Sequence, residues 1–425
     1  MELVSEKLIK NVFAQVDRMR DEIVKFTCDL VKIPTENPPG KEYKKCAEFI
    51  GKKLEEFGYE VEYINVPSDF LDKLAPEGKG LPRVNVLGRY KSMTDKPVIH
   101  FNGHFDVVPA GGGWSVDPYG GVVKNDKIYG RGSSDQKSGI AAQIFAVEAI
   151  KRAGVRLKGT VEQSATVDEE TGGFAGVGYL VNKGYIAQGK TDYCIITECL
   201  NVNQICIGHR GAIWFEVKTL GKKAHGCMPK RGINAIEKMV KLLNKLDLEV
   251  RPNIEGRLTG YPVIPDEARH PSLTPTILNS GIKLNVVPDV CIAKFDRRLI
   301  PEEDVNVALD EIKAILSSLS VEDRDFNYEI KEILRVEPTV IPTDAKVVRA
   351  LTNAIKLVLA EEPKLVLSPG FDDQRFIVQN AKINECAVYG PGILTQAHVT
   401  DEYVLIQDIV DSTKIMALTM MYLLG

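Results

Sequence analysis

The chain has 425 residues, 44% of them hydrophobic and 26% charged, with a net charge of −4 and no low-complexity tract. That length suggests roughly two or three domains with a sizeable interior. Acidic and basic residues are interspersed, which excludes the basic track that a nucleic-acid backbone needs and argues against disorder.

The N-terminal stretch MELVSEKLIKNVFAQVDRMRDEIVKF carries charges every few residues and lacks the apolar core of a secretory signal. No later segment approaches an uninterrupted apolar run of about 18 residues. A cytoplasmic protein with neither a nucleic-acid nor a membrane partner is expected. Eight cysteines (Cys28, Cys46, Cys194, Cys199, Cys206, Cys227, Cys291, Cys386) are scattered without a C-x-x-C pair, most inside apolar runs, and read as buried thiols with no zinc and no disulfide.

Residues 6–33 repeat apolar positions at helical spacing (Leu8, Val12, Val16, Met19, Ile23, Phe26, Leu30), and Cys46, Phe49, Ile50, Leu54 and Phe57 do so again before Gly58. Strand-like runs follow at 84–90, 97–109, 160–168 and 192–199, with a helical pattern from Ser138 to Ala153 between the second and third. This alternation predicts an α/β fold with a mixed central sheet flanked by helices. After about residue 210 the pattern becomes strand (212–220), helix (Ile233 to Leu246), strands (274–284 and 290–300) and helix (Val305 to Leu319), which predicts an inserted α+β unit. Residues 336–425 return to the first style and end in a helix from Ile406 to Leu424. Residues 1–210 and 336–425 are therefore expected to form one discontinuous domain, interrupted by 211–335.

Only six histidines occur, so their local company is informative. His104 lies in GHFDVVP with Asp106 two positions on, on the same side of an extended chain. A carboxylate so placed can orient the imidazole's second nitrogen, as metal-ligating histidines usually require. Asp135, in YGRGSSDQKSG, precedes a helix and equally suits an N-cap. Glu169 and Glu170, in TVDEETGG, follow a strand, where adjacent acids are usually just solvated. Glu198 ends an apolar run, where a carboxylate is costly to bury without a cation or strong donors. His398 follows a glycine-proline turn in YGPGILTQAHVTDEY. Each alone also reads as a polar group at a core edge. Together they form a mixed nitrogen and oxygen set that suits zinc and can be shared by two ions about 3.5–4 Å apart.

The stretches GHFDVVP, YGRGSSDQKSG, DEETGG, the acid at Glu198, GKKAHGCMPKRGINAI, LNVVPD, FDRRLIP, FDDQRF and GPGILTQAHVTDE run in family order across nearly the whole chain. On these the sequence resembles the two-zinc peptidases and deacylases that include succinyl-diaminopimelate desuccinylase, acetylornithine deacetylase, aminoacylases and glutamate-releasing carboxypeptidases. The resemblance implies two zinc ions per subunit, with cobalt or manganese as substitutes. It implies that Asp135 bridges the ions, that His104 and Glu198 complete one site and Glu170 and His398 the other, and that Glu169 is the general base with Asp106 behind His104. It also implies a cis bond between Asp135 and Gln136. With neutral imidazoles, two zinc ions and three carboxylates leave about one net positive charge, which suits an acidified water.

The inserted unit is implied to be a lid through which a homodimer forms, with His225 reaching the partner's site as an oxyanion donor. An exposed loop histidine is the rival reading. Arg298 and Asn285 match positions that hold the substrate's carboxylate, a task suited to a guanidinium fork, with salt-bridging inside the lid as the rival for Arg298. The loop 370–376 and Gly390 to Gly392 are implied to line the pocket. Glu198 stands where several relatives have aspartate, as in the desuccinylases and some carboxypeptidases. The expected reaction is hydrolysis of the amide bond of an N-acyl amino acid, of the desuccinylase or deacetylase type. A metallo-carboxypeptidase or dipeptidase using the same cluster is the alternative. A non-catalytic metal- or ligand-binding relative is disfavoured by Glu169, because binding needs the ligands but no free base.

Overall fold

The strand Val98–His104 is buried along its whole length, and so is Thr160–Thr166 beside it. Strands buried on both faces belong to a sheet covered by helices on both sides. The computed structural model describes residues 5–425, so residues 1–4, with which the N-terminal reading begins, lie outside the described residues. The chain divides into two compact units. The first comprises the described residues up to Gly208 with Ile341–Val366 and Asp372–Gly425, and the second His209–Val340 with Leu367–Phe371.

In the first unit the strands run in the order Glu60–Asn65, Val84–Lys91, Thr160–Thr166, Val98–His104, Tyr193–Ile196, Cys386–Val388, Gln204–His209. Among the first three, Val84–Lys91 is antiparallel to the strand on either side of it, whereas Thr160–Thr166, Val98–His104, Tyr193–Ile196 and Cys386–Val388 are mutually parallel. This is the mixed sheet expected. Because those four strands point the same way, the chain leaves all of them at one edge. The segments that follow carry Glu169 and Glu170, Asp106, Glu198 and His398. Open α/β sheets place their ligand sites at this edge.

The helix Ser138–Arg152 packs on Val98–His104 and Thr160–Thr166, Tyr43–Glu56 covers the two outer antiparallel strands, and Lys346–Leu359 covers Tyr193–Ile196 and Cys386–Val388. Ser138–Arg152 is buried nearly all round, because Ile406–Leu424 and Glu6–Arg18 lie against it. The helical pattern of 6–33 resolves into two helices, Glu6–Arg18 and Arg20–Val31. Met19 at the break is itself fully buried, so the apolar spacing continues through it and conceals the interruption. Among the described residues no helix is long and apolar enough to cross a membrane. The cysteines are free thiols, all buried except Cys227, which is exposed.

The second unit holds an antiparallel sheet in the order Ser272–Ser280, Val290–Leu299, Gly211–Leu220, Asn327–Val336. Burial alternates residue by residue along Val290–Leu299, and the helices Ala235–Lys245 and Val305–Glu322 contribute the rest of the core on that face. Asn234 and Asp304 cap these helices by accepting main-chain N–H groups of their first turns. The strand Asn327–Val336 is not foreseen from the sequence, because Glu329, Lys331, Glu332 and Arg335 interrupt any apolar run. A short ribbon pairs Ala224–His225 with Val286–Val287.

Candidate metal centre

His104 ends its strand and is buried. Its Nε2 lies 3.1 Å from Oδ1 of Asp135 and 3.3 Å from Oε1 of Glu198. The second oxygen of Asp135 lies 3.4 Å from Nε2 of His398, which is also 3.0 Å from Oε2 of Glu170. Asp135 therefore faces one histidine and one glutamate on each side, in two groups whose donor atoms lie within 4.8 Å of one another. Four donors placed about 2.0–2.2 Å from a tetrahedral zinc stand roughly 3.3–3.6 Å apart, close to these separations. The Asp135–Gln136 bond is cis.

The tautomer of His104 makes the same point chemically. Its Nδ1 lies 3.0 Å from the main-chain carbonyl oxygen of Asp106, which can only accept. Nδ1 is thus the protonated nitrogen and Nε2 turns a lone pair toward two carboxylates. Lone pairs facing one another require a cation between them. The titration behaviour shows the same demand, with a proton standing in for that cation. Burial opposes charge on His104, yet Glu198, Asp106 and Asp135 hold it well above its usual value. Hydrogen bonds to Asp135 and Glu170 push His398 up to about 10. Burial pushes Glu170 up to about 7 and raises Glu198 and Glu169 as well. The residues present fit a pair of divalent cations.

Asp106 lies beside His104, and its carboxylate does more than its spacing implied. Its carboxylate is 3.5 Å from Nδ1 of His104, farther than its own carbonyl oxygen. The strand ends at His104, so the two-residue alternation no longer applies at position 106. The carboxylate also accepts the main-chain N–H groups of Glu169 at 3.2 Å and Glu170 at 3.1 Å, and the side-chain amide of Asn37 at 2.9 Å. It therefore shapes the turn that presents both glutamates. That turn starts at Asp168, in a left-handed conformation (φ 63°) and buried against Arg83 at 2.7 Å and the Tyr43 hydroxyl at 2.8 Å. Arg375 donates to the carbonyl of Gly172 at the turn's far end.

Glu198 stands two residues beyond its strand and is almost buried. A Cβ on Gly390 would meet the main-chain oxygen of Glu198 at 2.4 Å, and one on Gly392 that of Ser134 at 2.2 Å. Only glycine lets this loop pass so close to two site segments. Two site residues were not singled out from the sequence. Asp373 is buried beside the cluster, with its carboxyl pushed up to about 8 by burial, and it adds negative charge near Glu198. Glu402 accepts the N–H groups of Ser134 at 2.9 Å and Asp135 at 3.1 Å, and pairs with Arg131 at 2.6 Å. Glu402 and Asp373 lie within stretches that resemble the family, but nothing local marks either as part of the site.

A model of peptidase family M20/M25/M40 matches residues 100–422, a span containing every one of these donors. The chain belongs to this family. This M20-family metallohydrolase is 29% identical over 414 residues to an uncharacterized metallohydrolase of Methanocaldococcus jannaschii, covering 93% of this chain and 98% of that one. It is 32% identical over 303 residues to succinyl-diaminopimelate desuccinylase of Nautilia profundicola, covering 68% of this chain and 75% of the other. Its fold resembles the crystal structure of human carnosine dipeptidase 1, with a TM-score of 0.76 at 21% identity over 98% of both chains.

The remaining candidates of the M20-family chain lie in the second unit. His225 is exposed and its Nδ1 accepts the N–H of Cys227 at 3.2 Å. Asn285 immediately precedes the ribbon strand Val286–Val287, its carbonyl accepting the N–H of Gly226 at 2.8 Å. Arg298 is engaged through Nε by both oxygens of Asp296, at 2.8 and 3.1 Å, and lies over the Phe371 ring. An internal salt bridge is thus present at Arg298. Its neighbour Arg297 is fully buried and held by Glu303 at 2.5 Å, a structural pair.

Proposed function

We propose that this protein is a two-zinc amidohydrolase that removes the acyl group of an N-acyl amino acid. The observation that carries this reading is Asp135, whose two oxygens each face a different histidine and glutamate, with Glu169 adjacent in the chain but outside both groups. In this reading His104, Asp135 and Glu198 hold one ion, and Asp135, Glu170 and His398 the other. Zinc held there would lower the pKa of bound water toward about 7 and polarise the scissile carbonyl, and cobalt or manganese would substitute for it.

The chain's own groups do the rest. Glu169, its backbone tied to Asp106 and its proton affinity raised by burial, takes the proton of the attacking water and returns it to the leaving nitrogen. His225 donates to the developing oxyanion, and Arg298 with Asn285 holds the free carboxylate of the amino acid. Residues of the second unit serve as lid and dimer surface. The edge strand Ser272–Ser280 exposes Ile277 and Leu278, the turn beyond it exposes Ile282 and Leu284, and the helix Ala235–Lys245 exposes Ile236 and Val240. Apolar side chains on an unpaired edge strand support burial against a second copy.

Hydrolysis of a panel of N-succinyl and N-acetyl amino acids, compared with dipeptides in the presence of added zinc or cobalt, tests the reading. Turnover of the acyl amino acids is expected. Strong turnover of dipeptides alone overturns it in favour of a dipeptidase or carboxypeptidase.

A further inference from the structure

We propose that the buried Arg131–Glu402 ion pair is the positioning element of the His398 half of the centre, and that Trp114 is coupled to it. The proposal rests on the two-ion reading above. The two halves are built differently. His104 and Glu198 leave adjacent parallel strands whose ladder fixes their spacing. Asp135 and His398 have no such frame. Asp135 lies in Ser133–Lys137, where its backbone is non-helical, and His398 stands in a loop at φ 64° with 52% of its side chain exposed.

Glu402 and Arg131 tie these two residues together. One oxygen of Glu402 accepts the N–H groups of Ser134 and Asp135, and the other pairs with Nη1 of Arg131. Nη2 of Arg131 donates to the carbonyl of His398 at 3.3 Å. A single ion pair therefore spans from the shared carboxylate to the loop histidine. Both partners are buried, so removing either leaves an uncompensated charge and frees Asp135 from His398. This chain of contacts meets the Glu198 group only at Asp135, which both groups share.

The guanidinium has one further neighbour. Nε of Arg131 is buried without an acceptor among the described residues, and the Trp114 ring covers the group, 5.2 Å from its carbon. Trp114 is itself fastened, its indole N–H donating to Ala110 at 2.9 Å and the N–H of Ser115 to Asp401 at 2.8 Å, next to Glu402. The glycine-rich loop 109–117 is thus a cover on the ion pair.

The test is zinc uptake by calorimetry and by metal content at limiting free zinc, with Co(II) absorption as the spectroscopic probe. It is run on wild type, Arg131→Met and the isosteric Glu402→Gln, each checked for a cooperative melt. Wild type takes two equivalents. The variants keep one, and their second equivalent weakens roughly 10- to 100-fold. The Co(II) spectrum of the remaining site matches that of His398→Ala and differs from that of His104→Ala. In a Trp214→Phe background Trp114 is the remaining indole, and its emission responds to the second equivalent. Two equivalents at unchanged affinity in folded Glu402→Gln overturn the proposal, as does loss of both equivalents together or a silent Trp114. A wild type that takes fewer than two equivalents overturns the two-ion reading itself.

Discussion

Asp106 accepts the main-chain N–H of Glu169 at 3.2 Å, so the carboxylate expected to stand behind a metal ligand also fixes the backbone of the proposed general base. An amide at this position offers one acceptor oxygen for three N–H donors that now share two. Asp106→Asn is expected to lower kcat by roughly 10- to 100-fold with both metals retained at saturating zinc. Steady-state kinetics with metal content measured on the same sample checks this. Full recovery of kcat in excess zinc would mean that Asp106 serves metal affinity alone.

Glu169→Gln removes the proposed proton acceptor and keeps the shape. Because the side chain belongs to neither donor group, two equivalents of zinc should remain while kcat falls about 10²- to 10⁴-fold. Metal analysis beside single-turnover kinetics decides. Retained activity would show that another group takes the proton.

Local context drew attention to His104 at a strand end, Asp135 before a helix and Glu170 after a strand, but left each with a structural reading as well. Their grouping was not legible, since it depends on four strands becoming parallel neighbours, and only the family resemblance supplied it. The support beneath them was invisible for a physical reason. Arg131 and Glu402 are 271 residues apart, and no periodicity links a buried arginine to a distant acid. Asp106 lies two residues past the end of its strand, and strand alternation says nothing of the main-chain N–H groups it accepts from a distant turn, so those partners were missed. In the second unit, Asn327–Val336 pairs with the Gly211–Leu220 edge although its own sequence reads as a solvated, charged segment.

Removing the metals should make stability fall with rising pH. Folded Glu170 is held at about 7, Asp373 at about 8 and His398 at about 10, all above their ordinary values of 4.5, 3.8 and 6.5. Each binds its proton more tightly in the folded state. The resulting stabilisation is complete below the ordinary value and is lost as pH climbs through the raised one. Asp135 is shifted down and acts in the opposite sense only below its ordinary 3.8, while Lys137, held at about 8 by burial, changes only above that. Between about pH 5 and about pH 8 the chelated protein should therefore lose several degrees of Tm, and added zinc should restore more at the higher pH. Thermal melts with chelator and with zinc at both values check this. An equal zinc gain at both would mean that these protons do not stand where the cations bind.

His225 gives the sharpest test of the proposed dimer. If it serves the site of the other subunit, His225→Ala and Glu169→Gln are each inactive as homodimers for different reasons. A mixed dimer then has one site with its own Glu169 and a His225 donated by the Glu169→Gln chain. Mixing equal amounts under conditions of subunit exchange makes about half the dimers mixed, each with one complete site, so about a quarter of wild-type activity should return. The measurement is activity against time after mixing, with exchange followed by native mass spectrometry on tagged chains. Mixed dimers that form but stay inactive would place His225 in the service of its own subunit or of no site at all.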